Sequence, residues 1–255
     1  MTLLRSATLL ILLAPLTAAA QQIPYGTVLP VMLSSTLDAG KDKPGRKISG
    51  RIMQDVPLPD GELIPRRALI VGHVVSVTKA GDRSGSHLAV SFDQLTIKGR
   101  AVPILVHLRA LASMTEVFEA RMPTNAWDDY GTSPSDWNTV QVGGAGVYRG
   151  SGEVIADGRV VGRSTDYGAV TAKLIAAPAS GCRGVEDESR EQALWVFSPW
   201  ACGPYGFSDL KTIHAGRTEP VGQIAFQSSR NVYIQGGSGW LLRAESSSGR
   251  PSSTN

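Results

Sequence analysis

The amino-acid sequence predicts a mainly β protein, an antiparallel barrel or sandwich with at most one or two short helices and a disulfide-stapled C-terminal β segment. Most apolar residues fall in short runs separated by Gly, Pro and Ser, the pattern of strands and turns. The longest run, Ala68 to Val77, is rich in β-branched valines. Only the stretch from Arg109 to Met122 repeats apolar residues at helical spacing. Many short strands with little helix are typical of barrels and sandwiches.

Residues 1–20 have the layout of a secretory signal peptide. Arg5 supplies the positive charge, an apolar run extends from Leu9 to Leu16, and a row of alanines ends at Ala20. The run is shorter than the roughly 20 apolar residues of a membrane-spanning helix, so an uncleaved anchor is the less favoured interpretation. We therefore expect an exported protein, periplasmic or extracellular, with no transmembrane span after the signal is removed.

Residues 21–108 are expected to form one β-barrel module. Its apolar runs are separated by polar or Pro-rich connections, and short turns join the last three, which predicts an antiparallel meander. The runs are Thr27–Leu33, Ile48–Met53, Ala68–Val77, Leu88–Leu95 and Val102–Leu108.

Residues 109–138 are expected to form an irregular or helical insertion. Its first half carries apolar residues at three- and four-residue steps, which fits either a helix or a strand with a bulge. These residues are Leu111, Met114, Val117, Phe118 and Met122.

The second half of the insertion is a loop by composition that places aromatic side chains beside carboxylates. These residue types can stack on a sugar or help to hold a cation, so the loop is a candidate ligand contact; a surface loop packed down by its own aromatics is the alternative. The acids lack the spacing of a Ca²⁺ loop, so no metal site is predicted. The candidate residues are Trp127, Asp128, Asp129, Tyr130 and Trp137.

Residues 139–244 are expected to form a Gly-rich β region, and residues 245–255 a Ser-rich disordered tail. Strand register is unreadable between 139 and 173, whereas four later apolar runs predict strands. These runs are Ala193–Phe197, Val221–Phe226, Val232–Ile234 and Trp240–Leu242.

Cys182 and Cys202 are the only cysteines of the chain. In an oxidising exported compartment, two thiols at this separation are most simply a disulfide. Such a cross-link contributes on the order of 3 kcal/mol in the chain-entropy account. Neither cysteine has the paired spacing of a zinc or redox site.

Four motifs of the N-terminal third carry a resemblance: Ile23–Leu29 (IPYGTVL), Leu63–Gly72 (LIPRRALIVG), Leu88–Leu95 (LAVSFDQL) and Gly99–Ile104 (GRAVPI). In order and spacing they resemble the C-terminal β-barrel domain of TrbI-like proteins, which are subunits of conjugation-type (type IV) secretion channels near the outer membrane. The resemblance implies a barrel over about residues 23–108 and a role in envelope assembly.

The corners that begin the first two motifs differ at one position. Proline fixes φ just before a strand and glycine allows a positive φ, so an I-P-x-G entry makes a sharp corner. Gly26 has this place in the first motif, whereas Arg67 has it in the second. We therefore expect the second corner to be built differently.

No catalytic set emerges from the motifs. His73 and His107 lie in apolar strands without a second ligand at metal-binding spacing, so we expect hydrogen-bonded sheet residues. The segment Gly236–Gly239 only approximates a Gly-x-Ser-x-Gly nucleophile turn and reads as a tight turn. The 25 basic residues nearly balance the 22 acidic ones, which predicts no nucleic-acid partner, and no cofactor motif is recognised.

The sequence thus favours a non-enzymatic envelope or extracellular protein that works through protein or surface-glycan contacts. Edge strands of an incompletely closed barrel would offer the binding surface. One alternative is a secreted hydrolase that acts on a glycan through a pair of carboxylates. Another is a channel-type oligomeric subunit, which is disfavoured because residues 109–137 are polar where such subunits carry an apolar helical pair.

Overall fold

A computed structural model describes residues 23–82, 84–122, 139–144, 146–147, 152–156, 158–165, 168–175, 190–213 and 222–245 of the chain. Several sequence predictions lie outside these ranges. They are the signal peptide over 1–20, the candidate loop residues Trp127, Asp128, Asp129, Tyr130 and Trp137, the cysteine Cys182, and the tail from residue 246 onward.

The described residues are mainly strands. The bounds are β1 Val28–Leu33, β2 Leu37–Asp38, β3 Lys47–Ile52, β4 Val56–Pro57, β5 Leu63–Ile64, β6 Leu69–Thr78, β7 Ser86–Ile97, β8 Arg100–Pro103, β9 Val106–Ala112, helix α1 Met114–Glu119, β10 Thr139–Val140, β11 Gly146–Val147, β12 Glu153–Ala156, β13 Arg159–Ser164, β14 Val170–Ala172, β15 Gln192–Ala193, β16 Gly203–Tyr205, β17 Leu210–Ile213, β18 Ile224–Ser228, β19 Tyr233–Ile234 and β20 Gly239–Ala244. The mainly β class predicted from the sequence is confirmed.

The main sheet is a nearly closed barrel. Its strands follow the order β16-β9-β20-β1-β3-β6-β7-β18-β17, and β8 pairs with β7 beyond the end of β18. All of these pairs are antiparallel except β16 with β9. The path begins at β16 and ends at β17, which lie close together without a ladder between them in the described part of the chain. We call this break in the barrel wall the seam.

Strands from both ends of the chain build this barrel. The sequence predicts a barrel over residues 21–108 and a separate β region over 139–244. In the structure, two strands of the second region belong to the barrel: β20 lies between β1 and β9, and β18 pairs with β7. Val28, at the start of β1, is opposite Arg243. Glu245, which the sequence assigns to the tail, continues the barrel, because it is buried and its N–H donates to the carbonyl of Leu105.

The barrel interior is filled by side chains that alternate along each strand. In β3, for example, Ile48, Gly50 and Ile52 are buried while Lys47 and Arg51 are exposed, as expected for a sheet with one apolar face.

Trp240 is the largest fully buried side chain of this core. Its ring meets those of Phe92 and Phe226 edge to face, with ring centroids 5.7 Å and 5.3 Å away and interplanar angles of 86° and 84°. Edge-to-face contacts of this kind add to the stabilisation from burial alone.

A second, smaller layer covers one side of the barrel. Strands β12 to β15 form a four-stranded sheet, and this part of the chain packs on the outer face of β1, β9 and β20. Leu194 and Phe197 from the outer layer share a core with Ala110 and Leu241 of the barrel. Strands β9 and β20 are therefore buried on both faces along their whole length.

The spacing of apolar residues from Arg109 to Met122 fits either a helix or a bulged strand, and the structure has a strand followed by a helix there. The first residues of this stretch belong to β9, and α1 follows after Ser113, whose hydroxyl accepts the N–H of Glu116 as the N-cap. The segment thus changes from strand to helix instead of adopting one structure throughout.

The expectation that the Arg67 corner is built differently is wrong. Arg67 has φ of 70° and Gly26 has φ of 80°, so both residues are in the left-handed region. The turns also share a hydrogen bond, because Thr27 donates to Pro24 and Ala68 donates to Pro65, each at 3.1 Å. The surrounding barrel holds the exposed Arg67 in a conformation that an L-residue rarely adopts.

No helix among the described residues is both long enough and apolar enough to cross a membrane.

Candidate functional site

Of the sequence-predicted site residues, the structure describes Cys202. It is buried, and its N–H donates to the hydroxyl of Tyr205 over 2.9 Å. Cys182 and the aromatic loop candidates lie outside the described residues, so their predicted roles remain predictions.

His73 is on the outer surface of the barrel, in a cluster that includes Ser91 and Asp93. The Asp93 carboxylate accepts a hydrogen bond from the Ser91 hydroxyl over 2.8 Å and contacts His73 Nδ1 over 2.7 Å. In a hydrolytic triad the histidine lies between the serine and the acid, where it removes the serine proton. Here the acid lies between the other two, so the cluster does not have the connectivity of a triad.

His107 is a buried residue of β9. Its ring pairs with the carboxylate of Glu245, which is also buried. Arg243 lies opposite His107 in the ladder, and its guanidinium is 5.1 Å from the centroid of the Tyr25 ring. These contacts connect residues near the two ends of the described chain. We therefore assign His107 a structural role at the end of the barrel where β1 begins.

A surface cavity of about 290 Å³ lies at the other end of the barrel. Two connections form it: the one that joins β16 to β17, and the one that joins β18 to β19. The lining residues are Phe207, Ser208, Asp209, Leu210, Ser228, Arg230, Asn231 and Tyr233. We refer to this feature as the Asp209 cavity.

Asp209 is held rigidly within this cavity. One of its oxygens, Oδ2, accepts hydrogen bonds from the hydroxyls of Ser228 and Ser229, each over 2.7 Å, and from the N–H of Arg230 over 3.2 Å. The hydrogen bond from Ser229, followed by that from Ser228, holds the pKa of Asp209 below its ordinary value. The carboxylate therefore stays charged at neutral pH.

Asn231 is fixed by the neighbouring loop. Its side-chain N–H donates to Asp38 Oδ1 over 2.9 Å, and the same oxygen accepts the N–H of Gly40. The hydrogen bond from Asn231 is the main reason that the pKa of Asp38 is lowered, while partial burial opposes the effect. Asp38 lies opposite Tyr233 in the short β2–β19 ladder, so the loop and the cavity wall are one unit.

The remaining walls of the cavity combine aromatic surface with one exposed cationic side chain. Tyr233 is 49% exposed, and Phe207 packs partly against the barrel core. The side chain of Arg230 is 77% exposed, with its Nε 3.9 Å from Asp209 Oδ2. One carboxylate and one guanidinium line the cavity, so the charges of the lining cancel.

Sequence reasoning missed this cavity. Most of its residues belong to two connections, 206–209 and 229–232, that read as ordinary turns, and each contributes only part of the lining. The aromatic and charged composition of both turns was the available signal. Only the pairing of β17 with β18 brings them together.

The cavity also marks one end of the seam. The connection that lines it leads directly into β17, whose Lys211 is exposed and whose other residues are at least partly buried. On the opposite side of the seam, β16 contains Pro204, which has no N–H to offer. The two edges of the seam are therefore chemically different.

Comparison of the chain with protein-family models finds no matching family, and comparison with curated proteins finds no match. Among the described residues, no group of three or more His, Cys, Asp or Glu side chains is placed to hold a metal ion. The Asp209 cavity has a single carboxylate in its lining, whereas most glycoside hydrolases use two.

Proposed function

We propose that this protein is an exported, non-enzymatic interaction module of the cell envelope or extracellular space, built on a TrbI-like barrel. The observation that carries the proposal is the seam, where the barrel wall is interrupted between β16 and β17. A partner protein that supplies an extended segment there would add a strand to the sheet. Strand addition of this kind gains affinity from main-chain hydrogen bonds.

The edge of β17 is the side of the seam that suits strand addition. In the described part of the chain, β17 pairs with β18 on one side only. Natural proteins protect edges with proline and charge, and β16 carries Pro204 while β17 carries only Lys211. A segment that enters the seam would accordingly pair with β17 and pass close to the Asp209 cavity.

Export and the disulfide are part of the same proposal. The signal-like residues 1–20 support passage out of the cytoplasm. We assign Cys182 and Cys202, the two cysteines of the sequence, as a disulfide pair, which fits an oxidising compartment. Intact-mass measurement of protein from the envelope fraction should show both thiols alkylated only after reduction; two free thiols in native protein would contradict this assignment.

Proline scanning tests the seam. Consecutive residues of a strand direct their N–H groups to opposite sides. Of Thr212→Pro and Ile213→Pro, one therefore removes an N–H that faces β18 and the other removes an N–H that faces the seam. One variant loses a ladder bond to β18 and should melt earlier. The other loses only a donor at the seam and should keep the melting temperature of the wild type.

A photo-crosslinking residue at Lys211, introduced into the full chain in its native cells, reports the partner. We expect one discrete crosslinked product with the wild-type strand. This product should be absent when the seam-facing N–H is removed by the proline substitution that leaves the melting temperature unchanged. The matched control is the same crosslinker at Val160, which is 58% exposed on β13 of the outer layer. Equal crosslinks at both positions, or crosslinks that survive both proline substitutions, would overturn strand addition at the seam.

The oligomeric state separates an interaction module from a channel-type subunit. Light scattering during size-exclusion chromatography of residues 21–255 should give a discrete small species. A ring of many subunits would replace the proposal with the channel-type alternative.

A further inference from the structure

We infer that the Asp209 cavity is a saccharide-binding site that takes one pyranose unit of an uncharged glycan. The cavity of about 290 Å³ is large enough for one sugar ring and is lined by aromatic, acceptor and donor groups together. Ligand sites of this kind are concave and combine apolar surface with a few placed polar groups. The inference concerns a different feature from the seam and does not depend on strand addition.

The acceptor of the site is Asp209. The hydrogen bonds from the hydroxyls of Ser228 and Ser229 and from the N–H of Arg230 all go to its Oδ2 atom, and Oδ1 is the second acceptor of the same carboxylate. A carboxylate that is fixed on one oxygen presents the other in a constant direction. Sugar hydroxyls donate to such an oxygen through charge-assisted hydrogen bonds.

The donors of the site are Arg230 and Asn231. The Asn231 amide is oriented by one bond to Asp38, which leaves its second N–H and its carbonyl oxygen for other partners. The exposed guanidinium of Arg230 can close over a ligand. Each hydroxyl of a sugar ring can donate and accept a hydrogen bond. Neighbouring hydroxyls therefore suit a site in which the acceptor Asp209 lies beside the donors Arg230 and Asn231.

The balance of charge selects the class of ligand. Asp209 and Arg230 are the charged groups of the lining, and they cancel. A cationic peptide side chain would meet the guanidinium of Arg230, and an anionic one would meet the carboxylate of Asp209. A neutral polyhydroxylated ring is repelled by neither.

Tyr233 supplies the stacking face. Its side chain is half exposed, although its backbone lies in a strand that is paired with β2. The preceding segment is fixed as well, because the N–H of Val232 donates to Ser86 Oγ over 2.7 Å and its carbonyl accepts the N–H of Ala39. Because the backbone that carries it is fixed, the Tyr233 ring loses little conformational freedom when a ligand binds, which favours affinity.

Saturation-transfer NMR and titration with the full mature chain test this site. The probes are the methyl glycosides of glucose, galactose, mannose and N-acetylglucosamine, and neutral disaccharides of the same sugars. We expect saturation transfer to at least one of them. Tyr233→Ala should weaken its binding by about tenfold or more, since it removes the stacking surface, while Tyr233→Phe keeps most of the affinity.

Asp209→Asn keeps the shape of the side chain and should weaken binding by a similar factor, about tenfold, because the charged acceptor is lost. Tyr25→Ala is the matched control: Tyr25 is 53% exposed at the opposite end of the barrel, and its removal should leave sugar binding unchanged. Circular dichroism checks that each variant is folded.

Three results would overturn the inference. The first is the absence of saturation transfer to every saccharide probe with wild-type protein. The second is binding that Tyr233→Ala and Asp209→Asn leave intact, which would place the sugar elsewhere. The third is preferential binding of a charged peptide that these two substitutions abolish, which would make the cavity a polypeptide site and leave the seam proposal standing.

Discussion

Arg67 and Gly26 occupy the same place in two turns that each deliver the chain into a barrel strand. Glycine adopts the left-handed region without strain, whereas an L-residue with a side chain pays roughly 1–2 kcal/mol to do so. The second turn nevertheless forms, because the N–H of Arg67 donates to Ile52 and its carbonyl accepts a hydrogen bond from the side chain of Arg51. Individual residues in this protein are thus held in place by contacts that are distant in sequence.

Arg67→Gly should raise the free energy of unfolding by about 0.5–1 kcal/mol, because the relief of backbone strain exceeds the extra entropy of the unfolded chain. Urea denaturation of the two proteins measures the difference. Arg66→Gly is the matched control at the neighbouring position, which is not among the residues of positive φ, and it should not stabilise the protein. An Arg67→Gly variant less stable than the wild type would show that the turn is not strained.

Asp209 should contribute to stability in a pH-dependent way. Its pKa in the folded protein is lowered below the ordinary 3.8, so its contribution is complete above that value and disappears as the pH falls through the lower folded-state pKa. Asp209→Ala should therefore be less stable than the wild type at pH 7, with a smaller difference near pH 3. Denaturation of the exposed-loop variant Asp82→Ala at both pH values is the control; a difference for Asp209→Ala that grows on acidification would contradict the sign.

At the scale of elements, close pairing of strands leaves no space at particular positions. Strand β6 pairs with β7 along nearly its whole length, with a register shift between Val71 and Gly72. A β-carbon on Gly72 would lie 1.9 Å from the carbonyl oxygen of Ser91 and 2.8 Å from the Cα of Phe92. Since both are backbone atoms, no rotation of a side chain relieves the contact.

Gly72→Ala should therefore destabilise the protein by about 3 kcal/mol, the upper range for overpacked sites, as the two strands move apart. Thermal and urea denaturation measure the loss. Gly81→Ala is the control, because a β-carbon there meets only the side-chain hydroxyl of Ser84 at 3.0 Å. Equal stability of the two variants would mean that the β6–β7 pair adjusts more easily than its geometry indicates.

At the scale of the whole molecule, the barrel depends on both halves of the chain. Strand β20 separates β1 from β9 and supplies Trp240, the centre of the aromatic cluster. Without the C-terminal strands, β1 and β9 would each lose a paired edge and the interior would lose Trp240 and Phe226. The barrel should consequently fold as one cooperative unit.

A fragment of residues 21–138 should fail to fold, although it contains all of residues 21–108, the range in which the sequence predicts a barrel module. We expect a one-dimensional NMR spectrum without dispersed methyl signals and no cooperative melting transition. The control is the same fragment mixed with a separately produced 139–255 fragment, since reassociation would restore the dispersed signals. A folded and cooperatively melting 21–138 fragment would show that the N-terminal module is independent.

The sequence alone determined the strand-rich class and the position of several strands. The runs Thr27–Leu33, Ile48–Met53 and Ala68–Val77 match β1, β3 and β6 to within one residue at each end. This worked because a half-buried strand alternates its side chains every second residue, and proline and glycine mark the corners. These signals are local, so a single sequence contains them.

Only the tertiary structure decided how the barrel closes, what covers its outer face and where the cavity forms. The alternation of apolar and polar residues along a strand indicates that one face is buried, but it does not identify the neighbouring strand. Strand β1, for example, pairs with residues more than two hundred positions away. Strand β9, VHLRALA, carries a histidine and an arginine, yet it is buried on both faces because Arg109 donates to the carbonyls of Pro199 and Ala201 in the outer layer. Contacts of this range depend on the whole folded chain, which is why the Asp209 cavity could be recognised only in three dimensions.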